Sequence, residues 1–250
     1  MDDALTDVEK SEPDNSDKER SDVSMTMGPR VDGPPARRPG RTTLPGRSVT
    51  LAPLDPRAHG DALYSAIRGE AGDLLWQYLF EGPFADRPEF DAHLQGIAAS
   101  EDPLFFAILD NASGKAVGYA SYMRIEPVHR VIEVGSILFT PLLQQTTLAT
   151  EAMYLMARHV FEDLGYRRYE WKCNALNAPS RRAALRFGFR FEGIFRQHMI
   201  VKGRNRDTAW FSMLDLEWPT RKASFERWLD PSNFGADGRQ KVALSSLNEP

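Results

Sequence analysis

Beyond Val49 the apolar residues alternate with polar ones, as in half-buried strands, or recur at helical spacing. Ser48 to Leu54 reads as a first strand, and Pro56 to Ile67 as a helix opened by Asp55 with proline in its first position. A second helix is predicted over Pro88 to Ala99. Leu104 to Leu109 is a short apolar run, Asn111 to Lys115 form a turn behind it, and Ala116 to Ile125 follows as its hairpin partner. Val131 to Phe139 adds a third strand to this meander. Ala149, Ala152, Met153, Met156 and Val160 then share one helical face, and Gly165 ends that helix. Arg168 to Cys173 is predicted as a strand and Pro179 to Phe187 as a short helix. Phe189 to Val201 and Thr208 to Leu216 follow as two strands around the polar turn Lys202 to Asp207. The chain has no internal repeat.

The chain upstream has a different character. Its first aromatic residue is Tyr64, and up to Gly46 it is mostly Asp, Glu, Ser, Pro, Gly and Arg, with too little apolar surface to offset the entropy of ordering. Charge divides it: nine acids and three bases lie between Met1 and Asp22, whereas one acid, Asp32, and five arginines lie between Val23 and Ser48. Residues 1–46 are therefore expected to be a disordered charged leader, either an interaction tail or a solvating segment. One domain is expected at 47–218, with a partly helical C-terminal extension at 219–250.

Composition narrows the function classes. A chain of 250 residues with 42% hydrophobic positions can build a core without a disulfide or metal staple. Its net charge of -4 argues against nucleic acid or an anionic membrane as the main partner. The single cysteine, Cys173, excludes an internal disulfide, and His129, His159 and His198 lack metal-ligand spacing, so no metal is expected. No run approaches the roughly 18 apolar residues of a membrane span. Met1-Asp2-Asp3 is acidic where a secretory signal would be basic, and the expected location is cytoplasmic.

The candidate chemistry begins where the strand ending at Phe139 crosses into the long helix through Gln144, Gln145, Thr146, Thr147, Leu148, Ala149 and Thr150. A strand-to-helix turn presents unpaired amides and the positive end of a helix dipole, which suits a phosphate or pyrophosphate; the three threonines add hydroxyls. Threonines also cap helices, so this loop alone is not specific. Two motifs occur together, however: Gln144-x-x-Thr147-x-Ala149 here, and Asn174-x-x-Asn177-x-x-Ser180 followed by Gly188-Phe189 downstream. On these residues the sequence resembles the GNAT acetyltransferases, in particular the branch containing the ribosomal-protein N-terminal acetyltransferases. The resemblance runs from Val49 to Trp218 and includes the order of elements. It implies an α+β fold with a central mixed, mainly antiparallel sheet flanked by helices. It also implies acetyl-CoA as cosubstrate, threaded between two splayed strands, and an amine acceptor that is a small molecule or a protein N-terminus. A homodimer is compatible with it. Two positions depart from the family pattern: Thr147 stands where glycine lets the pyrophosphate approach the backbone, and Ala184 stands where many members carry a tyrosine general acid.

Acetyl transfer needs an unprotonated amine, whereas an alkylamine with a pKa of about 10.4 is almost wholly ammonium at neutral pH. Glu133, on the strand that the resemblance places along the thioester, and Glu126, in the loop before it, are the candidate bases. Strand alternation puts Gly135, Ile137 and Phe139 on the side of Glu133, which is then either a charge on a buried apolar face or a surface residue beside Arg130. Ser180 matches a serine used near the thioester sulfur, and it is equally placed to cap a helix. Asn174 and Asn177 are assigned to the pantetheine amides, and Arg181 and Arg182 either to the adenosine phosphates or to a solvated face. Trp76, Tyr78 and Phe80 fall where the family forms part of its acceptor site, and they are also core residue types. Cys173 has no evident base and is not expected to be a nucleophile. The expected activity is direct transfer in a ternary complex, with a catalytically weak CoA-binding module acting through protein contacts as the rival.

Overall fold

The structure, a computed structural model, describes residues 28–248. From Pro34 onward the chain folds as one unit. Its alternating segments form β1 (Leu44–Pro45), β2 (Val49–Pro53), β3 (Leu104–Asp110), β4 (Ala116–Glu126), β5 (Val131–Phe139), β6 (Arg168–Asn174), β7 (Arg190–Val201) and β8 (Arg204–Leu214). These strands join one sheet in the order β1-β2-β3-β4-β5-β6-β8-β7. Only β5 and β6 are parallel, because a helix carries the chain back between them. The helices are α1 (Pro56–Ala66), α2 (Glu70–Asp73), α3 (Arg87–Ala99), α4 (Thr147–Arg158), α5 (Ala178–Arg186), α6 (Trp218–Leu229) and α7 (Leu244–Leu247). Asp55, Asp86, Thr146 and Asn177 cap α1, α3, α4 and α5 through side-chain oxygens that accept first-turn amides.

The sheet has a core on each face. On one, α1 and α3 bury Leu63, Phe90 and Leu94 against Phe105, Tyr119 and Leu138. On the other, α4 and α6 bury Met156, Ala152 and Phe225 with Tyr169, Trp171 and Phe211. β6 divides cleanly by parity. Tyr169, Trp171 and Cys173 are buried on the α4 and α6 side. Arg168, Glu170, Lys172 and Asn174 face the other way, in register with Leu214, Ser212, Trp210 and Thr208 of β8. That second face is capped by α1 and α3 over β4 and β3, so the charged residues of β6 lie beyond the helical layer.

Three sequence expectations shift. The first concerns the leader, whose residues 1–27 lie outside the described residues. Its later part packs: Ala36 is buried and its amide donates to Pro127 O, Arg37 reaches Asp163 O, Arg41 reaches Ser100 O, and Leu44 pairs with Leu51. Arginines hold this stretch to backbone carbonyls, a mode of anchoring that apolar composition does not reveal. The amides of Arg47 and Ser48 then donate to the buried carboxylate of Glu151 on α4. The second shift is the β7–β8 turn, which is only Lys202-Gly203, both with positive φ, so that β8 starts at Arg204. The third is a β-bulge in β5, where Gly135 pairs with Ser121 and Leu138 with Tyr119. Ser136 absorbs the extra residue at φ 47°, and parity changes there. Leu138, rather than Ile137 and Phe139, thus shares the face of Glu133.

Candidate active site

β5 and β6 pair from Val131 with Arg168 to Val134 with Trp171, and no farther. Beyond that point the strands part, and a cleft of about 1100 Å³ opens between them. One end is bordered by Gln144, Gln145, Thr146, Thr147, Ala149 and Thr150 at the start of α4. The other is bordered by Tyr78, Phe80, Glu133, Lys172 and Arg206. Asn174, Asn177 and Ser180 line the stretch between them.

The α4 end is built from local geometry. Thr146 caps the helix, accepting Ala149 N and donating to Leu143 O, while Gln144 Nε2 braces the loop on Phe139 O. Thr150 is buried and accepts from Arg186 Nη1 at 3.0 Å. Thr147 is exposed to the cleft, and among the described residues its hydroxyl has no hydrogen-bond partner. It stands in the first helical position with ordinary backbone geometry; the positive φ of the turn falls on Gln145. Threonine therefore costs this backbone nothing, and its bulk and its hydroxyl are what distinguish it from glycine. Leu148 packs against the core and takes no part in the lining. The amides of Thr147 and Leu148 lie in the first helical turn and lack helical acceptors.

Midway along the cleft each asparagine is held by its oxygen: Asn174 Oδ1 accepts Leu176 N, and Asn177 Oδ1 accepts Ser180 N. Their NH2 groups are without partners among the described residues and border the cleft. Asn177, not Ser180, is thus the cap of α5. Ser180 Oγ instead accepts Trp171 Nε1–H at 3.0 Å, which leaves its own proton to donate. Cys173 also lines the cleft; burial pushes its thiol up, against the opposing influence of the Ser180 hydroxyl and of Arg206 and Arg181. A neutral buried thiol is a poor nucleophile.

The far wall carries a charge network. Glu133 is 2% exposed, and its Oε2 meets Lys172 Nζ at 2.9 Å and Arg124 Nη1 at 2.5 Å. Lys172 also meets Glu170 at 2.6 Å and lies 3.8 Å from the centre of the Trp210 ring. Arg168 joins Glu170 to Glu192. Glu133 Oε1 lies toward Gly135, where an added Cβ would come 3.5 Å from it and 2.3 Å from Met123 Sδ, so a larger residue there would have to displace the Met123 side chain. Glu133 is accordingly not a surface residue. Among the described residues, no group of three or more His, Cys, Asp or Glu side chains is placed to hold a metal.

Comparison with known proteins agrees with this geometry. Residues 49–190 match the acetyltransferase (GNAT) domain model. The chain belongs to the GNAT acetyltransferase family. The structure of a GCN5-related N-acetyltransferase from Brucella melitensis superposes with a TM-score of 0.85 at 52% identity, covering 87% of this chain and 98% of that one. The N-acetyltransferase YnaD of Bacillus subtilis is 28% identical over 147 residues, 58% of this chain and 82% of that protein. The ribosomal-protein-serine acetyltransferase of Escherichia coli is 32% identical over 81 residues, 32% of this chain and 45% of that protein. The fold is thus the α+β GNAT fold, and the protein is an N-acetyltransferase resembling the ribosomal-protein branch.

Within this GNAT fold some expected site residues are not brought together. Glu126 ends β4 in an exposed position outside the cleft, leaving Glu133 as the carboxylate at the wall. Trp76 is 2% exposed and packs edge-on to Phe84 and His93, so it supports its segment from behind while Tyr78 and Phe80 face the cleft. Ala184 is fully buried, so an acid at that position would point into the core. Arg181 bonds Ala175 O and Arg182 is exposed; the arginine of α5 that reaches the cleft is Arg186, 4.7 Å from the Trp228 ring centre. Sequence reading also missed Lys172, Arg124 and Arg206. For Lys172 the signal was its shared parity with Glu170 on β6.

Proposed function

We propose that this N-acetyltransferase carries acetyl from acetyl-CoA directly to a primary amine in a ternary complex. The observation that carries this reading is the parting of β5 and β6 beside a buried carboxylate, Glu133. The residues present fit acetyl-CoA. Backbone groups of β5 that point toward β6 lose their ladder partners past Val134, and the NH2 groups of Asn174 and Asn177 border the same gap. The first-turn amides of α4, the Thr147 hydroxyl and Arg186 gather donors and positive charge for phosphates. Bound there, acetyl-CoA would supply an acyl group activated as a thioester.

The remaining roles fall to the protein's own side chains. Glu133 takes the amine proton, with Lys172 and Arg124 fixing Oε2 and leaving Oε1 to the cleft side. Ser180 donates toward the leaving sulfur, held in orientation by Trp171. Tyr78 and Phe80 border the acceptor, whether a small amine or a protein N-terminus. Holding amine and thioester together supplies effective concentration, so no acyl-enzyme is needed. The test is CoA-thiol release with a panel of small amines and peptides, each product checked for acetylation by mass spectrometry. Amine-dependent release is expected; release no faster than hydrolysis with every amine would overturn the reading.

A further inference from the structure

We propose that the acceptor amine also carries a carboxylate, and that Arg206 is the residue that receives it. This rests on reading the cleft as the acetyl-transfer site. On the wall beyond the helical layer the other cationic side chains are paired with carboxylates. Arg168 is held by Glu170 and Glu192, Lys172 by Glu133 and Glu170, and Arg124 by Glu133. Arg206 has no carboxylate within ion-pairing distance among the described residues. It is nonetheless only 7% exposed and lines the cleft.

A guanidinium is almost never buried without an anion, because the desolvation of its charge is left uncompensated. Here the fold fixes the group and leaves its working end unused. Arg206 Nε donates to Thr208 Oγ1 at 3.2 Å, and the guanidinium carbon lies 5.0 Å from the centre of the Phe80 ring. Nη1 and Nη2 remain as a planar fork that matches the two oxygens of a carboxylate. Phe80 belongs to the acceptor segment, which the β7–β8 turn clasps through Lys202 Nζ on Trp76 O and Glu81 O. The phosphates of CoA have a separate candidate partner at the other end, Arg186 on Thr150. Arg206 thus serves the acceptor.

In the transfer the amine nitrogen forms a C–N bond to the thioester carbonyl carbon, and the C–S bond breaks with its electron pair on sulfur. The amine proton passes to Glu133 and from there, through solvent, to the departing thiolate, which leaves Glu133 ionised again and the carboxylate on Arg206 unchanged. Arg206 is therefore a specificity residue. Two acceptor sources share this chemistry: a free ω-amino acid, and a peptide with an acidic side chain close to its free N-terminus.

The experiment measures kcat/KM with acetyl-CoA for matched pairs. One arm compares ω-amino acids of several lengths with their amides; the other compares a seryl-aspartyl peptide with its seryl-asparaginyl twin. The carboxylate member of at least one arm is expected to be favoured by on the order of 10- to 100-fold, mainly through KM, as befits a hydrogen-bonded charge pair. The arm that responds identifies the source. Arg206→Met should abolish the preference, and Arg206→Lys should keep part of it, having the charge without the fork. Equal use of both members in both arms, or a preference that survives Arg206→Met, would overturn the inference while leaving acetyl transfer standing. Binding of acetyl-CoA by calorimetry without transfer to any amine would overturn the function and the inference together. Should Arg206→Met fail to fold, the matched pairs on the wild-type protein decide alone.

Discussion

The two ends of the cleft are made in different ways. At the α4 end nearly every donor comes from one stretch, residues 144–150, and the devices are backbone ones: a threonine cap, first-turn amides and a helix dipole. At the other end the wall is assembled from β4, β5, β6, β8 and the segment around Tyr78, and its devices are buried charges that meet only in three dimensions. The first end depends less on any one side chain, because backbone amides supply most of its donors and Thr147 fits the first helical position without backbone strain. The second depends on each of them, because every buried ion relies on its neighbours.

The difference can be tested most severely at Lys172. Lys172→Met leaves Glu133 and Glu170 buried without their shared cation, and urea melts should show a loss of about 3–5 kcal/mol. A loss within error would mean that the wall is not a cooperative charge network. Glu133→Gln keeps the shape and removes the proton acceptor; kcat/KM should fall by roughly 10²- to 10³-fold at neutral pH and by less at high pH, where free amine is abundant. An equal fall at every pH would deny Glu133 the role of base. Neither change should alter acetyl-CoA affinity measured by calorimetry.

Smaller effects are expected at the α4 end. Thr147→Val removes a hydroxyl and keeps the bulk, and should weaken acetyl-CoA binding by about 1.5–3 kcal/mol if that hydroxyl meets a phosphate. Thr147→Gly should cost less; tighter binding by the glycine variant would show that the threonine obstructs. The smallest expected effect lies behind the segment that carries Tyr78 and Phe80, where His93 packs on Trp76 and Phe84. Burial pushes the His93 pKa down from 6.5 to about 4, so the unfolded chain binds a proton first as the pH falls. Its contribution to stability is complete above 6.5 and is lost between there and about 4. Melting temperature should decline by roughly a few degrees over that window. His93→Gln should flatten the decline, and an unchanged profile would dismiss this histidine as its source.

Most of the elements were legible in the chain because period and capping are local properties. The strand Val131 to Phe139 is found with the same bounds, and Asp55 and Thr146 start helices as their side chains allow. The turn from β5 into α4 was legible for the same reason. What failed was whatever depended on a distant partner. The bulge at Ser136 moved Leu138 onto the face of Glu133, and the segment before Gly46 packed through arginines onto carbonyls far along the chain. Trp76 and Tyr78 lie two residues apart in one segment, yet one is buried against Phe84 and the other faces the cleft.

By itself, then, the sequence determined the order of strands and helices, the family motifs and the donors at the start of α4, since these depend on spacing within a few residues. The tertiary structure alone decided which of the two carboxylates borders the cleft: Glu133 with Lys172 and Arg124 around it, and not Glu126 at the exposed end of β4. It alone left Arg206 buried with no carboxylate at ion-pairing distance among the described residues. The reason is physical. The energy of a charge is set by burial and by the charges around it, and both come from strands that are neighbours in the sheet but remote in the chain.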